Sequence, residues 1–505
     1  MKGRVRRRPA SRARVPGTGA GPYFRILAAA IAVVAAGVIA GAAFESNQAL
    51  PTWARAATAW EWLQSFGWVP FQPEGCEGPA SWTIPPVLVK EGVDGGSFGL
   101  VAALLLGQGQ LPEVTVTASC RCGPSGRLHA APGSVAATVV APGPWDGAGG
   151  STVAARGLGW AVRASLAPLL AGPCDPAACA EGADSWVTVL AASAAGVPLG
   201  SCVRRWRLGG AGSAPVGATI AVAGDSQSGA AAFRTLLAAV ASRRPRLASA
   251  GTPLLGLLHL GDTVQSPGTD PREWRSYLSA PLAASLSPGD AVGLPAVPLL
   301  WVRGNHDEAG PWPALLPPPA QLVRLGPVAV LVVPSMGRAA ADGKGGAAAT
   351  ADLVSALGRS PRWTGAPVRL LAAHVPPCVT HWDRAAWDAG ESREPDAARR
   401  VLLAALRGLA APAHAILAGH SHIYQRRWWR WRPGRGGSVP VITIGTAGGA
   451  LERDPPVNDC PGAGTTVVGS HAVGLLRVVG TGGAVAAVLD VIDVRGQLLD
   501  VFRIV

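Results

Sequence analysis

From Ala218 onward the chain repeats one pattern: an apolar run short enough for a buried strand, cut off by a polar motif. Thr219–Ala223 leads into GDSQ, Leu254–Leu260 into GDTVQ, and Leu299–Val302 into RGNHDE. Val368–Ala373 leads into His374, and Ala415–Ala418 into GHSH. Such runs read as strands covered on both faces, and helical stretches between them give the alternation of an α/β fold. Pro298 stands just before the third run, at a strand start where a missing N–H is tolerated. In open α/β sheets the sites form at the carboxyl ends of strands, which is where each of these motifs falls.

Composition bounds the rest. Of 505 residues, 49% are hydrophobic and 15% charged, which excludes a disordered chain. The 66 glycines and 45 prolines read as many turns between short elements. The net charge of +13 suggests nucleic acid until it is located. Lys2, Arg4, Arg6, Arg7, Arg8, Arg12, Arg14 and Arg25 form one cluster without an acid. Arg426, Arg427, Arg430, Arg432 and Arg435 form another. Together they account for the whole excess, so the remaining chain is neutral and nucleic acid is not an expected partner.

Behind the basic residues 1–25 lies Ile26–Phe44, uncharged over 19 residues. As a helix it spans roughly 28 Å, close to a hydrocarbon core. It reads as a transmembrane anchor with 1–25 in the cytoplasm and the remainder of the chain periplasmic or extracellular. The alternative is a cleaved signal ending at Ala40-x-Ala42, which would make the protein secreted. Residues 45–70, with Trp53, Trp60, Trp62 and Trp68, form a juxtamembrane segment. Residues 71–215 alternate apolar runs with Gly/Pro turns and are expected to be a mostly β domain. The eight cysteines, six of them between 76 and 202, suit disulfides in an oxidising compartment. The spacing of Cys120, Cys122, Cys174 and Cys179 is poor for zinc. Residues 216–505 then make up the α/β domain.

Asp225, Asp262, Asn305, His306, His374, His420 and His422 each follow an apolar run. Their mixed oxygen and nitrogen donors suit Zn, Mn or Fe, and a carboxylate can bridge two cations about 3.5–4 Å apart. The ordered set GD…GDxxQ…GNHD…H…GHxH resembles the calcineurin-like metallophosphoesterase superfamily, most of all its purple acid phosphatase-like branch, over roughly residues 216–505. The resemblance implies a metallophosphoesterase β-sandwich flanked by helices and preceded by a second β domain. It implies a bimetallic hydrolase that cleaves phosphomonoesters through a metal-bound hydroxide. Phosphodiester or nucleotide hydrolysis is the alternative, as is a binding protein on a degenerate scaffold. By position, Asp225, Gln227 and His422 would hold metal one, Asp262 would bridge, and Asn305, His374 and His420 would hold metal two. His306 would face the phosphate, Asp307 would orient His306, and His381 would be a second substrate-facing histidine.

Two positions depart from the branch. Gln265 stands where it carries the tyrosine of GDxxY, and Gln227 stands where many superfamily members place a histidine. Both imply a divalent or mixed site with a weaker hold on metal one. His259 and His414 lie in apolar strands and read as satisfied core histidines. Gly445, Gly448 and Gly449 read as room for close backbone approach. The segment RRWWRWRPGR at 426–435 is either a hairpin edge with arginines out and tryptophans partly packed, or a contact for an anionic surface.

Overall fold

The computed structural model describes strands between residues 76 and 208 and most of 217–505, with gaps that include 278–296, 308–316, 378–392 and 453–463. The expected anchor at 26–44, the Trp-rich 45–70, His381, Cys378 and Cys460 lie outside the described residues. Among the described residues no helix is long and apolar enough to cross a membrane.

The described elements before residue 210 are all strands: β1 (Cys76–Glu77), β2 (Ser81–Glu91), β3 (Ser97–Leu105), β4 (Pro112–Cys122), β5 (Leu128–Ala130), β6 (Val135–Ala136), β7 (Thr138–Val140), β8 (Trp160–Ser165), β9 (Ala183–Ser193) and β10 (Pro198–Leu208). One antiparallel sheet runs β1-β10-β9-β4-β5, with β6 also on β4. Val114, Val116 and Cys120 of β4 are buried, the period of two expected of one covered face. Cys120 is disulfide-bonded.

Downstream come β11 (Gly217–Ala223), α1 (Ala230–Ala241), α2 (Arg244–Ser249), β12 (Leu254–His259), β13 (Leu299–Trp301) and a 3-10 turn, Asn305–Asp307. Next are β14 (Gln321–Leu325), β15 (Val328–Val332), α3 (Gly346–Gly358), α4 (Pro361–Thr364), β16 (Val368–Ala372), α5 (Arg393–Gly408), β17 (Ala415–Ala418), β18 (Tyr424–Arg430) and β19 (Ser438–Ile444). Strands β20 (Thr465–Val467), β21 (Ala472–Thr481), β22 (Ala484–Asp493) and β23 (Leu498–Arg503) close the chain. A ten-stranded sheet runs β23-β22-β21-β11-β12-β13-β2-β3-β8-β7, and a seven-stranded sheet runs β14-β15-β16-β17-β19-β18-β20. The parallel pair β13–β2, in register at Leu299 and Val89, carries the first of these across the segment boundary near 215.

The two sheets pack face to face. Ile220, Val222, Leu258, Leu260 and Leu300 from one meet Val323, Val330, Leu370, Leu417 and Ile442 from the other. The alternate residues Leu322, Leu331, Leu371, Ile416 and Val441 turn outward onto Val354, Trp363, Leu402 and Leu406 of the helices. Continuous apolar runs are what strands covered on both faces require. The result is a mixed α/β fold with a two-sheet core and helices outside. Helix α4 starts where Ser360 accepts a hydrogen bond from the Arg362 N–H and Pro361 takes the first turn.

The Arg/Trp segment forms a hairpin through Arg430, paired with Ser438. Its tryptophans divide between faces: Trp429 is buried in the helix-side core, while Trp428 is 41% exposed. Its arginines are not all outward. Arg426 donates to Asp500 at 3.1 Å and lies 4.4 Å over the Phe502 ring, beside the Tyr424 hydroxyl that donates to the same carboxylate at 2.6 Å.

Candidate metal centre

The carboxyl ends of β11, β12, β13, β16 and β17 converge on one cluster. Asp225, Asp262, His374 and His422 are nearly inaccessible, at 0–3% exposed. Backbone geometry at these ends is unusual: Asp225 (φ 57°), Ser228 (φ 64°), Asp262 (φ 53°) and His420 (φ 69°) all sit in the left-handed region. Non-glycine residues adopt it at a cost of order 1 kcal/mol or more, and such strain concentrates at functional sites. Surrounding bonds hold it. The Asp225 N–H donates to the Gly261 carbonyl at 2.9 Å, and the Asp225 carbonyl accepts from Gly448 and Gly449 at 2.9 and 2.7 Å. The glycine loop therefore approaches as its sequence suggested, and a Cβ on Gly449 would fall 2.5 Å from the His422 ring.

Hydrogen bonds to backbone carbonyls fix which ring atom each histidine turns inward. His374 Nδ1 donates to the Leu260 carbonyl at 2.8 Å, and His422 Nδ1 donates to the Ala450 carbonyl at 2.7 Å. Both present Nε2 to the cluster. His374 Nε2 lies 3.0 Å from Asn305 Oδ1, 3.3 Å from Asp262 Oδ2 and 3.3 Å from His420 Nδ1. His422 Nε2 is 3.6 Å from Asp225 Oδ1, and the His420 N–H donates to the Asp225 carboxylate at 2.9 Å. Donor atoms of Asp262, His374 and His420 all lie within 4.8 Å of one another. Donor atoms this close, drawn from four separate strand ends, offer a cation several lone pairs at once. The residues fit a metal centre on that ground and on their mixed nitrogen and oxygen chemistry.

Protonation shows the same competition. Burial raises the Asp225 carboxyl well above its usual range, with Asp262 adding to the rise and His374 opposing it. Burial would raise Asp262 too, but the adjacent His374 holds it low. His374 itself is pushed up to about 10, the attraction of Asp262 and Asp225 outweighing burial. Burial and then His374 lower His420 to about 3, and burial lowers His422 to about 4. These opposed shifts share one cause, buried carboxyls short of positive charge, which a divalent ion would supply.

Gln227 is buried in the same loop, its N–H donating to the Asp262 carbonyl at 3.2 Å. Gln265, at the branch's tyrosine position, turns its side chain to Ser228, whose hydroxyl donates to Oε1 at 3.1 Å. His306 is oriented differently from expectation. Its Nδ1 is 2.7 Å from the Gln265 carbonyl, whereas Asp307 accepts from the backbone N–H groups of Thr263 and Gly304 at 3.0 and 2.9 Å. Asp307 is therefore a brace between two loops, because its buried carboxyl finds amides and not an imidazole. Sequence reasoning also passed over Glu452, which accepts from the His422 N–H at 3.0 Å and is raised by burial to about 7. His259 is the satisfied core histidine expected, and its ring meets the Ser226 hydroxyl and the Gly261 N–H, one beside each aspartate.

Residues 218–424 match the family model for calcineurin-like phosphoesterase. Among solved structures the chain is similar to purple acid phosphatase PPD1 from yellow lupin (Lupinus luteus) seeds. That likeness has 13% identity and a TM-score of 0.58, over 83% of this chain and 73% of that one. It also aligns with a structure of PhoD at 13% identity and a TM-score of 0.44, over 83% of this chain and 92% of that one. No curated protein sequence matches the chain. At such identity the likeness to the lupin protein is one of fold.

Proposed function

We propose that the chain, whose residues 218–424 match the calcineurin-like phosphoesterase model, hydrolyses phosphomonoesters at the Asp225–His422 cluster, using two divalent or mixed-valence ions. The observation that carries this reading is the convergence of Asp262, Asn305, His374 and His420 at the ends of separate strands. When bound, the ions supply positive charge for the phosphoryl group and lower the pKa of water. Asp225 and His422 would hold one ion, Asn305, His374 and His420 the other, and Asp262 would lie between them. His306 has Nδ1 taken by the Gln265 carbonyl, so Nε2 is the nitrogen left to meet a phosphoryl oxygen or the leaving alcohol. Its backbone N–H donates to Asp262 at 2.9 Å, which ties the substrate-facing residue to a ligand. Gln265 offers no phenolate, so a tyrosinate-stabilised ferric ion is not part of the reading.

The basic residues 1–25, the apolar 26–44 stretch and the even cysteine count support a location outside the cytoplasm, anchored or secreted. One experiment addresses both. The full chain is produced in cells and tested for access to external protease, then purified, stripped with chelator and assayed with Mn²⁺, Zn²⁺ or Fe²⁺ on aryl phosphate mono- and diesters. Monoester turnover restored by metal is expected, with Asn305→Ala and His374→Ala lowering kcat/KM about 100-fold or more. No turnover with any metal, or variants as active as the parent, overturns the enzyme reading. A preference for the diester overturns the substrate class.

A further inference from the structure

His259 ends β12, is 2% exposed, and packs edge-on against Phe233 and Trp301 with ring centroids 5.6 and 6.4 Å away. Its Nδ1 accepts from the Gly261 N–H at 3.3 Å and lies 3.5 Å from the Thr263 hydroxyl. A neutral imidazole with Nδ1 accepting carries its proton on Nε2. That nitrogen is 3.0 Å from Ser226 Oγ, and the serine hydroxyl in turn donates to the Thr263 carbonyl at 3.2 Å. Ser226 directly follows Asp225, while Gly261 and Thr263 flank Asp262. One ring therefore fastens the loop after β11 to the loop after β12, beside both aspartates.

We propose that His259 is a positioning residue that sets the separation of the Asp225 and Asp262 carboxylates, and through it the affinity for the ion held by Asp225 and His422. The proposal rests on the two-metal reading above. Two ions about 3.5–4 Å apart leave little slack in their shared ligand frame. Of the two, the ion at Asp225 and His422 lacks a further imidazole, because Gln227 stands in the loop where many superfamily members have histidine. Loosening the frame is felt there first.

The test is calorimetric titration of the chelator-stripped full chain with Mn²⁺, alongside His259→Gln, His259→Asn and Ser226→Ala. Glutamine reaches Ser226 with a donor as Nε2 does; asparagine ends near the Nδ1 position and leaves the bond between loops unmade. Expected is a parent that binds two ions, with the looser one weakened about 10–100-fold in His259→Asn and Ser226→Ala, the usual scale for outer-shell changes. The tighter ion stays unchanged, and His259→Gln stays close to the parent. A purely space-filling histidine would lower thermal stability in both ring variants without separating glutamine from asparagine. Ser226→Ala leaves the ring in place, so it decides the matter should a ring variant fail to fold. Both ions bound as tightly in His259→Asn or Ser226→Ala as in the parent overturns this assignment alone. A parent that takes up no ion overturns the two-metal reading itself.

Discussion

A methyl group at Gly304 would fall 2.1 Å from Asp262 Oδ1 and 2.3 Å from its amide nitrogen. Neither atom can retreat, because Asp262 is buried and its backbone holds a left-handed turn. Gly304→Ala is therefore expected to destabilise the chain by about 1–3 kcal/mol, the scale of forced overpacking, and to weaken metal binding. Urea denaturation and metal titration check both, and a variant with parental values would show that the loop yields freely. The same scale separates what could be read from the chain. The strand-end placement of Asp225, Asp262, Asn305, His374, His420 and His422 was legible because each follows an apolar run. The bonds of Asp307, Glu452 and His259 were not, because their partners lie as far as 44 residues away and no local pattern marks them.

Among elements, β16 and β17 are clamped at their amino ends by one histidine. His414 donates its N–H to the Arg369 carbonyl at 2.8 Å, and its Nδ1 accepts from the Arg369 N–H at 3.1 Å. Burial first, then the Arg369 charge, lower His414 from 6.5 to about 4. The folded state thus prefers the neutral ring, so this contribution is fully present above pH 6.5 and is lost as pH falls towards about 4. Partial exposure and solvent screening keep it below about 1 kcal/mol. His414→Gln is expected to lose less stability than the parent over that interval in denaturant melts, and parallel curves would sink the assignment. Strand existence was legible here through apolar runs, and so was the hairpin after GHSH. Arg426 was not, since its carboxylate partner comes from β23, 74 residues on.

For the molecule as a whole, the sheet shared between β13 and β2 binds the first half of the chain to the second. No pattern in the sequence announces this, because a parallel pairing leaves no turn signal and the apolar runs suit either an edge or an interior strand. Expression of residues 216–505 alone would bare the β13 edge, a template for unwanted pairing. Such a fragment is expected to aggregate or melt below the full chain, and a monomeric fragment of equal melting temperature would show the halves to be separable. The left-handed aspartates also have a consequence for stability. Asparagine tolerates that backbone as well as aspartate does and carries no charge to bury. Asp225→Asn should therefore melt above the parent when chelator is present, and an equal or lower melting temperature would refute the point. Held in strained backbone, these side chains cost the bare fold stability that a bound cation would return.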